Sequence, residues 1–274
     1  MKTILIPVSK DTPLENLKDF ILLMANKSIY KLHLIHVLTS VSVKDYQDAV
    51  ETNSMDELNQ EDPEEKKILQ NLNDELIANG YLVETTLSPG LFQQKLTSLI
   101  DEINPAFVIM LTKGSNNLHE DLFGTNTLFV LKKIRVPIFI LPHDYKPRKF
   151  DRAVIGMDLE TDQLNAAKDL FDFSDETGIE TVLVKIDDAF QIAMIDDEEI
   201  LTALQKMYPD RVDHIIHRKH ESIAEGLEDF VVESDSDLIV LFTTKRNFVT
   251  ELFHKSVTSE LTLYSKKPLL IYHY

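Results

Sequence analysis

The chain has 274 residues, with no cysteine or tryptophan and only 7 glycines. Its 28 basic and 46 acidic side chains give a net charge of −18, which argues against broad electrostatic binding to nucleic acid or to an anionic membrane. The lack of cysteine excludes disulfides, thiolate metal sites and thiol nucleophiles. The glycines are too far apart for a G-x-G-x-x-G or P-loop motif.

Short apolar runs alternate with amphipathic segments along the first half of the chain. Dense Ile, Val and Leu without strict alternation are typical of strands buried on both faces of a parallel sheet. The predicted strands are 3–9, 31–38, 81–87, 106–111 and 136–141. The predicted helices are 13–28, 63–79, 91–103 and 125–134. The helix at 63 has the clearest signals, because Asp62, Pro63 and Glu65 suit a capped start and Gly80 suits a left-handed end.

The second half of the chain repeats this pattern. Residues 4–9 resemble residues 153–158, and residues 107–112 resemble residues 238–243. The second set of predicted strands is 152–158, 179–185, 211–217, 237–242 and 267–272, and the second set of helices is 161–176, 196–207, 221–234 and 256–265. We therefore predict an α/β protein of two tandem domains, 1–145 and 150–274. Each would be a doubly wound, mostly parallel sheet with helices on both faces.

A loop and helix start after the fourth strand suit a phosphate group. Ligands on doubly wound sheets bind beyond the carboxyl ends of the strands, where the strand order reverses. Gly124 would allow close backbone approach, Thr125 and Thr127 supply hydroxyls, and the first N–H groups of the helix lack partners. Gly114 would open a turn over a ribose or triphosphate. The alternative is a glycine turn and a threonine-initiated helix that bind nothing.

This layout resembles the universal stress protein family in its tandem two-domain form. Nucleotide-binding members of that family carry Gly-x2-Gly-x9-Gly-Ser/Thr after the fourth strand. Here Leu111 replaces the first glycine, whereas Gly114, Gly124 and Thr125 keep the remaining pattern. The resemblance implies two five-stranded sheets of the adenine nucleotide alpha hydrolase-like type. It also implies that ATP or another adenine nucleotide binds the first copy, with its phosphates at Gly114, Gly124, Thr125 and Asn126.

The resemblance further implies which residues would frame the nucleoside: Val8, Ser9, Val37 and Met110. The family's first strand usually ends in Pro-Val-Asp, with the Asp near the nucleoside, whereas this chain has Ser9 at that position. Val37 falls where family members hold the adenine with backbone groups. No metal is expected from the side chains.

The second copy departs from the motif at different positions from the first copy. Asp158 restores the acidic residue after the first strand, but Phe242, Lys245 and Lys255 stand where the three glycines belong, followed by Ser256. One interpretation is a closed site whose lysines are solvated. The other is that the lysines contact a phosphate as point charges.

The sequence gives little support for a metal centre or an enzyme. His214, His217 and His220 are spaced by three, but residues alternate faces along a strand, so scattered solvated histidines are the better interpretation. There is no G-x-S-x-G nucleophile motif. Asp196 and Asp197 are interpreted as the favoured acidic start of a helix rather than a carboxylate site.

We predict that the last strands of the two copies, 136–141 and 267–272, pair within the chain as an intramolecular pseudo-dimer, since an unpaired apolar edge favours aggregation. The leading hypothesis is a cytoplasmic, non-catalytic stress-response regulator that binds an adenine nucleotide in domain 1, with a degenerate site in domain 2. The alternatives are a nucleotide-free interaction scaffold, or a binder of another small or lipidic ligand near Leu111 and Phe242. Nucleic acid and membranes are not expected as partners.

Overall fold

The computed structural model describes residues 1–38, 63–112, 125–156, 163–187, 197–209, 212, 214–243 and 265–273. These residues form two compact units, the first running to Val136 and the second beginning at Pro137. Two features predicted above, the cap at Asp62 and the helix at 256–265, lie outside the described residues.

The first unit alternates strands with helices, as predicted. Its elements are β1 (Lys2–Pro7), α1 (Leu14–Met24), β2 (Tyr30–Leu38), α2 (Pro63–Ala78), β3 (Val83–Pro89), α3 (Phe92–Ile103), β4 (Phe107–Leu111) and α4 (Thr125–Lys133). The strand order is β3-β2-β1-β4, and all four strands are parallel. The chain steps from β1 to β2 and β3 on one side, then returns to add β4 on the other. The strand order therefore reverses at β1.

Helices cover both faces of this sheet. Helix α1 packs beside α2, and α3 packs beside α4. His36 on β2 contacts α2, whereas His33, which points to the opposite face, lies near Glu102 of α3. Leu5 and Leu32 of the central strands are completely buried between these layers. Burial on both faces explains the nearly continuous apolar runs of β1 and β2.

The second unit has a similar alternation. Its elements are β5 (Ile138–Leu141), β6 (Arg152–Gly156), α5 (Gln163–Thr177), β7 (Glu180–Asp187), α6 (Asp197–Met207), β8 (Ile215–Lys219), α7 (Ile223–Glu233), β9 (Leu238–Thr243) and β10 (Leu269–His273). The strand order is β5-β10-β9-β6-β7-β8. The strands from β10 to β8 are parallel, and β5 runs antiparallel to β10 with Ile140 opposite Leu269. The two strands predicted to pair, 136–141 and 267–272, therefore do so through these residues.

Two strands are displaced by two residues or more at both ends relative to the prediction, for identifiable reasons. The first is β3, which begins at Val83 because Tyr81 belongs to the end of α2: its N–H donates to Leu76 and its hydroxyl donates to the Ala25 carbonyl at 2.6 Å. The second is β8, which covers 215–219 instead of 211–217. Since β8 is an edge strand with an exposed, polar second half, apolar density does not mark its end.

Candidate functional site

The candidate site of the first unit lies at the carboxyl ends of β1, β2 and β4. The β1–β2 ladder ends with Pro7 opposite Ile35, although β2 continues to Leu38. Three residues of β2 therefore project beyond the end of β1. This step at the reversal of strand order is where open α/β sheets bind ligands.

The peptide group between Val8 and Ser9 is held at both of its ends. The Ser9 N–H donates to Thr12 Oγ1 at 2.9 Å, and Thr12 N–H donates back to the Ser9 carbonyl at 3.0 Å. On the other side of the peptide, the Val8 carbonyl accepts a hydrogen bond from His36 Nδ1 at 2.8 Å. The sequence-predicted Val8 is buried and Ser9 is half-buried. Together these contacts fix the orientation of the peptide that begins the β1–α1 turn.

Val37 is positioned to offer backbone groups to a ligand. The Val8 N–H donates to the Ile35 carbonyl at 2.8 Å, so the main-chain groups of Ile35 face β1. Groups two residues apart in a strand face the same side, and those of Val37 therefore face the space beyond the end of β1. Val37 as a whole residue is 7% exposed, and its side chain belongs to the core. Any polar contact that Val37 makes with a ligand would therefore use its main-chain N–H or carbonyl.

Beneath these residues lies a buried pair formed by His36 and Glu65. Nε2 of His36 is 3.2 Å from Oε2 of Glu65, and the two side chains are 1% and 5% exposed. Glu65 stands in the first turn of α2, where the sequence suggested a helix-capping role. The structure gives its carboxylate a tertiary contact with His36, which links the start of α2 to the end of β2.

The structure describes only part of the predicted phosphate end of the site. Met110 is buried near the end of β4, α4 begins at Thr125, and Asn126 is exposed in its first turn. Gly114 and Gly124 lie outside the described residues. The helix start at Thr125 agrees with the predicted bounds of 125–134.

The opposite face of β2 carries a separate polar group. His33 Nε2 is 2.8 Å from Thr86 Oγ1, and His33 Nδ1 is 3.3 Å from Glu84 Oε2. Burial lowers the pKa of His33, despite the opposing effect of Glu84. A hydrogen bond from Lys31 in turn lowers the pKa of Glu84. This group lies on the face that α3 covers, away from the His36–Glu65 pair.

The corresponding region of the second unit is described in part. Phe242, which occupies the first glycine position of the motif, stacks on Tyr272 with ring centroids 5.6 Å apart. A Cβ at Gly226 of α7 would lie 2.8 Å from both His220 Cβ and Ile186 Cγ2, so the helix backbone approaches β7 closely. The remaining motif positions of this copy, Asp158, Lys245, Lys255 and Ser256, lie outside the described residues.

The three regularly spaced histidines have separate surroundings. His214 is exposed before β8, His217 lies 3.3 Å from Asp187, and His220 Nδ1 accepts the Ser222 N–H at 3.0 Å. Among the described residues, no three His, Cys, Asp or Glu side chains are grouped so that they could hold a metal ion. In the same part of the chain, each helix is too short or too polar to cross a membrane.

Sequence reasoning missed three residues of the first site: Thr12, His36 and Glu65. His36 does carry a signal, since it is a histidine within the apolar run of a strand predicted to be buried on both faces, and such a group needs partners. Its partner Glu65 lies 29 positions later in the chain, on a helix. Hydrophobic periodicity does not predict which residues so far apart in sequence will meet. Thr12 follows Ser9 by three residues, a spacing typical of hydroxyl-mediated turns.

Comparison with known proteins agrees with this fold. The model of the universal stress protein family matches residues 1–142 and again residues 149–273. A solved universal stress protein from Archaeoglobus fulgidus DSM 4304 is 17% identical, covers 99% of this chain and 98% of its own, and has a TM-score of 0.72. A functionally unknown protein from Pseudomonas aeruginosa PAO1 is 13% identical, covers 100% and 92%, and has a TM-score of 0.69. None of the curated proteins matches the chain.

Proposed function

The chain belongs to the universal stress protein family, in its tandem two-domain form, and from this premise we propose that its first copy binds one adenine nucleotide and acts as a non-catalytic regulator. The observation that carries the proposal is the step at the carboxyl edge, where β2 projects beyond the end of β1. This step brings the sequence-predicted Val8, Ser9 and Val37 together.

The nucleoside would lie against this step. The main-chain N–H and carbonyl of Val37 supply one donor and one acceptor, which is the combination that the edge of an adenine requires. The buried Val8 and Met110 side chains provide apolar surface beside them. Small-molecule sites combine a mostly apolar wall with a few fixed polar groups in this way.

The phosphates would lie toward the start of α4. A helix N-terminus presents unpaired N–H groups and a positive dipole end to an anion. Thr125 begins this helix and Asn126 is exposed beside it, with Gly114 and Gly124 of the motif earlier in the chain. Such backbone groups can bind an anion locally even though the chain carries a net charge of −18.

The second copy would not bind a nucleotide in the same way. In the second copy Phe242 stacks on Tyr272 at the motif position that Leu111 occupies in the first copy. By sheet register Ile186 corresponds to Val37, since Gly156 pairs with Val184 as Pro7 pairs with Ile35. We therefore propose a stoichiometry of one nucleotide per chain.

Calorimetric titration with ATP, ADP and AMP tests this proposal directly. We expect one site per chain, together with an increase in melting temperature, because a ligand of the native state stabilises it by about 2.7 kcal/mol at a hundredfold excess over Kd. Absence of binding and of any thermal shift would refute the nucleotide proposal. That outcome would favour the nucleotide-free scaffold.

A matched pair of variants would locate the site. Thr125 and Ser256 are the hydroxyl residues at equivalent motif positions of the two copies. Thr125→Val should weaken ATP binding about tenfold or more, since a hydrogen bond to a charged group contributes roughly 1.5–3 kcal/mol. Ser256→Val should leave the affinity unchanged. Equal effects of the two substitutions would contradict the assignment of the site to the first copy.

A further inference from the structure

In the described part of the proposed site, side chains from outside the β1 strand set the orientation of the Val8–Ser9 peptide. Its carbonyl accepts from His36 on β2, and its N–H donates to Thr12 in the turn before α1. Rotation of this peptide would break both hydrogen bonds together. It would also change which backbone group Ser9 presents beside the end of the strand.

The His36 ring is itself fixed by its two nitrogens. A carbonyl oxygen can only accept, so Nδ1 facing Val8 carries a hydrogen. Nε2 faces Oε2 of Glu65 at 3.2 Å, and two lone pairs at that distance in the protein interior would repel each other. The contact is favourable when one of these two atoms carries a hydrogen, and the ring then has a polar partner at each of its nitrogens.

This arrangement is specific to the first copy. The β1–β2 and β6–β7 ladders have the same register, with Pro7 opposite Ile35 and Gly156 opposite Val184. The residue equivalent to His36 is therefore Lys185. A lysine has no acceptor nitrogen and no rigid ring, and it cannot join a carbonyl and a carboxylate through opposite edges of one planar group.

We propose that His36 is a positioning residue of the first-copy site: it fixes the Val8–Ser9 peptide in its ligand-binding orientation, and Glu65 holds the ring in place. This inference rests on the proposed function, because the peptide would be held in place for a nucleotide. The peptide contact itself is independent of any ligand. Through Glu65, the edge of the site is connected to the first turn of α2.

Two substitutions at one position separate the two contacts. The amide nitrogen of Asn occupies the place of Nδ1, so His36→Asn keeps a donor for the Val8 carbonyl and loses the contact with Glu65. The amide nitrogen of Gln reaches the place of Nε2, so His36→Gln keeps a donor for Glu65 and loses the contact with Val8. Each variant removes one buried polar contact of the His36 ring, so both should lose similar stability.

Two measurements on the full chain then test the inference. Exchange of the Ser9 amide hydrogen, which belongs to the same peptide, should be about tenfold faster in His36→Gln and close to wild type in His36→Asn. ATP affinity should fall about fivefold in His36→Gln and by less than about twofold in His36→Asn. Thr12→Val, a substitution outside the core, should weaken ATP binding in the same direction as His36→Gln.

The outcomes distinguish this inference from the proposed function. If both variants at His36 lower ATP affinity equally, the residue has only a structural role and the positioning inference is wrong. Unchanged Ser9 exchange in His36→Gln would also overturn it. If the wild-type chain binds no nucleotide, the proposed function fails, and the Ser9 exchange ratio alone decides whether His36 holds the peptide.

Discussion

Substitution of Glu65 by alanine should destabilise the first unit far more than its place in the first turn of a helix suggests. Nε2 of His36 and Oε2 of Glu65 are 3.2 Å apart, and both side chains are almost completely buried. Removing the carboxylate leaves a buried imidazole edge with neither its partner nor access to water. Removal of one member of a buried pair costs about 3–5 kcal/mol.

The adjacent Glu64 provides the matched control. It lies in the same first turn of α2 but is exposed. Glu64→Ala removes a similar favourable interaction with the helix dipole, which is worth roughly 0.3–1 kcal/mol. The difference between the two alanine variants therefore measures what the buried Glu65 carboxylate contributes beyond its place in the first turn of the helix. Glu65→Gln should lose less stability than Glu65→Ala, because its amide can donate to Nε2 of a neutral imidazole.

The measurement should report on the first unit by itself, because a chain with two units need not unfold in one transition. Amide hydrogen exchange at Leu69 and Leu72, in the buried face of α2, meets this need. A loss of 3–5 kcal/mol corresponds to exchange roughly 150-fold faster or more, since about 1.4 kcal/mol is a factor of ten. Exchange in Glu65→Ala within about tenfold of Glu64→Ala would refute the reasoning.

Three further predictions concern pH, packing and charge. Burial holds the pKa of His33 below its ordinary value of 6.5, so the unfolded chain binds this proton more readily than the folded chain. The stability of the fold therefore falls as the pH drops below 6.5. His33→Gln should reduce this dependence of the melting temperature on pH, whereas His214→Gln, at an exposed position, should not. Gly226→Ala should destabilise the second unit in urea unfolding, because the new Cβ would lie 2.8 Å from atoms of Ile186 and His220. This overlap costs about 1–3 kcal/mol, which outweighs the gain of about 1 kcal/mol from helix propensity. A higher urea concentration at the unfolding midpoint would contradict the close approach. Because the chain carries a net charge of −18, added salt should screen its repulsion of ATP, and the affinity for ATP should rise between about 0.01 M and 0.15 M salt. A steep fall of the affinity over this range in calorimetric titrations would instead indicate a basic site.

The fold was predictable because the central strands are buried on both faces. β1 and β2 therefore read as continuous apolar runs, and the predicted 31–38 differs from the observed Tyr30–Leu38 by one residue. Prediction was weakest where burial is one-sided or absent, as in β8, whose last three residues are exposed. Tyr81 was wrongly predicted to begin a strand, because its burial comes from contact with the end of α1 rather than from the sheet.

The candidate site could be proposed from the sequence only as far as topology alone places strand ends at one edge of a sheet. Val8, Ser9 and Val37 come from strand ends, and the strand order of a doubly wound sheet brings those ends together without any further information. The pairing of His36 with Glu65 instead depends on how α2 crosses β2. Hydrophobic periodicity gives the buried face of a helix, but not which strand residue its first turn will meet.

On the proposed function, one fold has a nucleotide site in one half and lacks it in the other without a change of topology. At the equivalent positions Val37 and Ile186, the strands have the same register, so the backbone is equally placed in both. The surroundings differ: α7 uses Gly226 to pack its backbone onto Ile186. In the first copy His36 binds the peptide that follows β1. In the described residues, the difference between the copies therefore lies in the side chains around a common backbone. Substitutions at the first glycine position of the second copy alone, such as Phe242→Gly, would therefore not restore a site there.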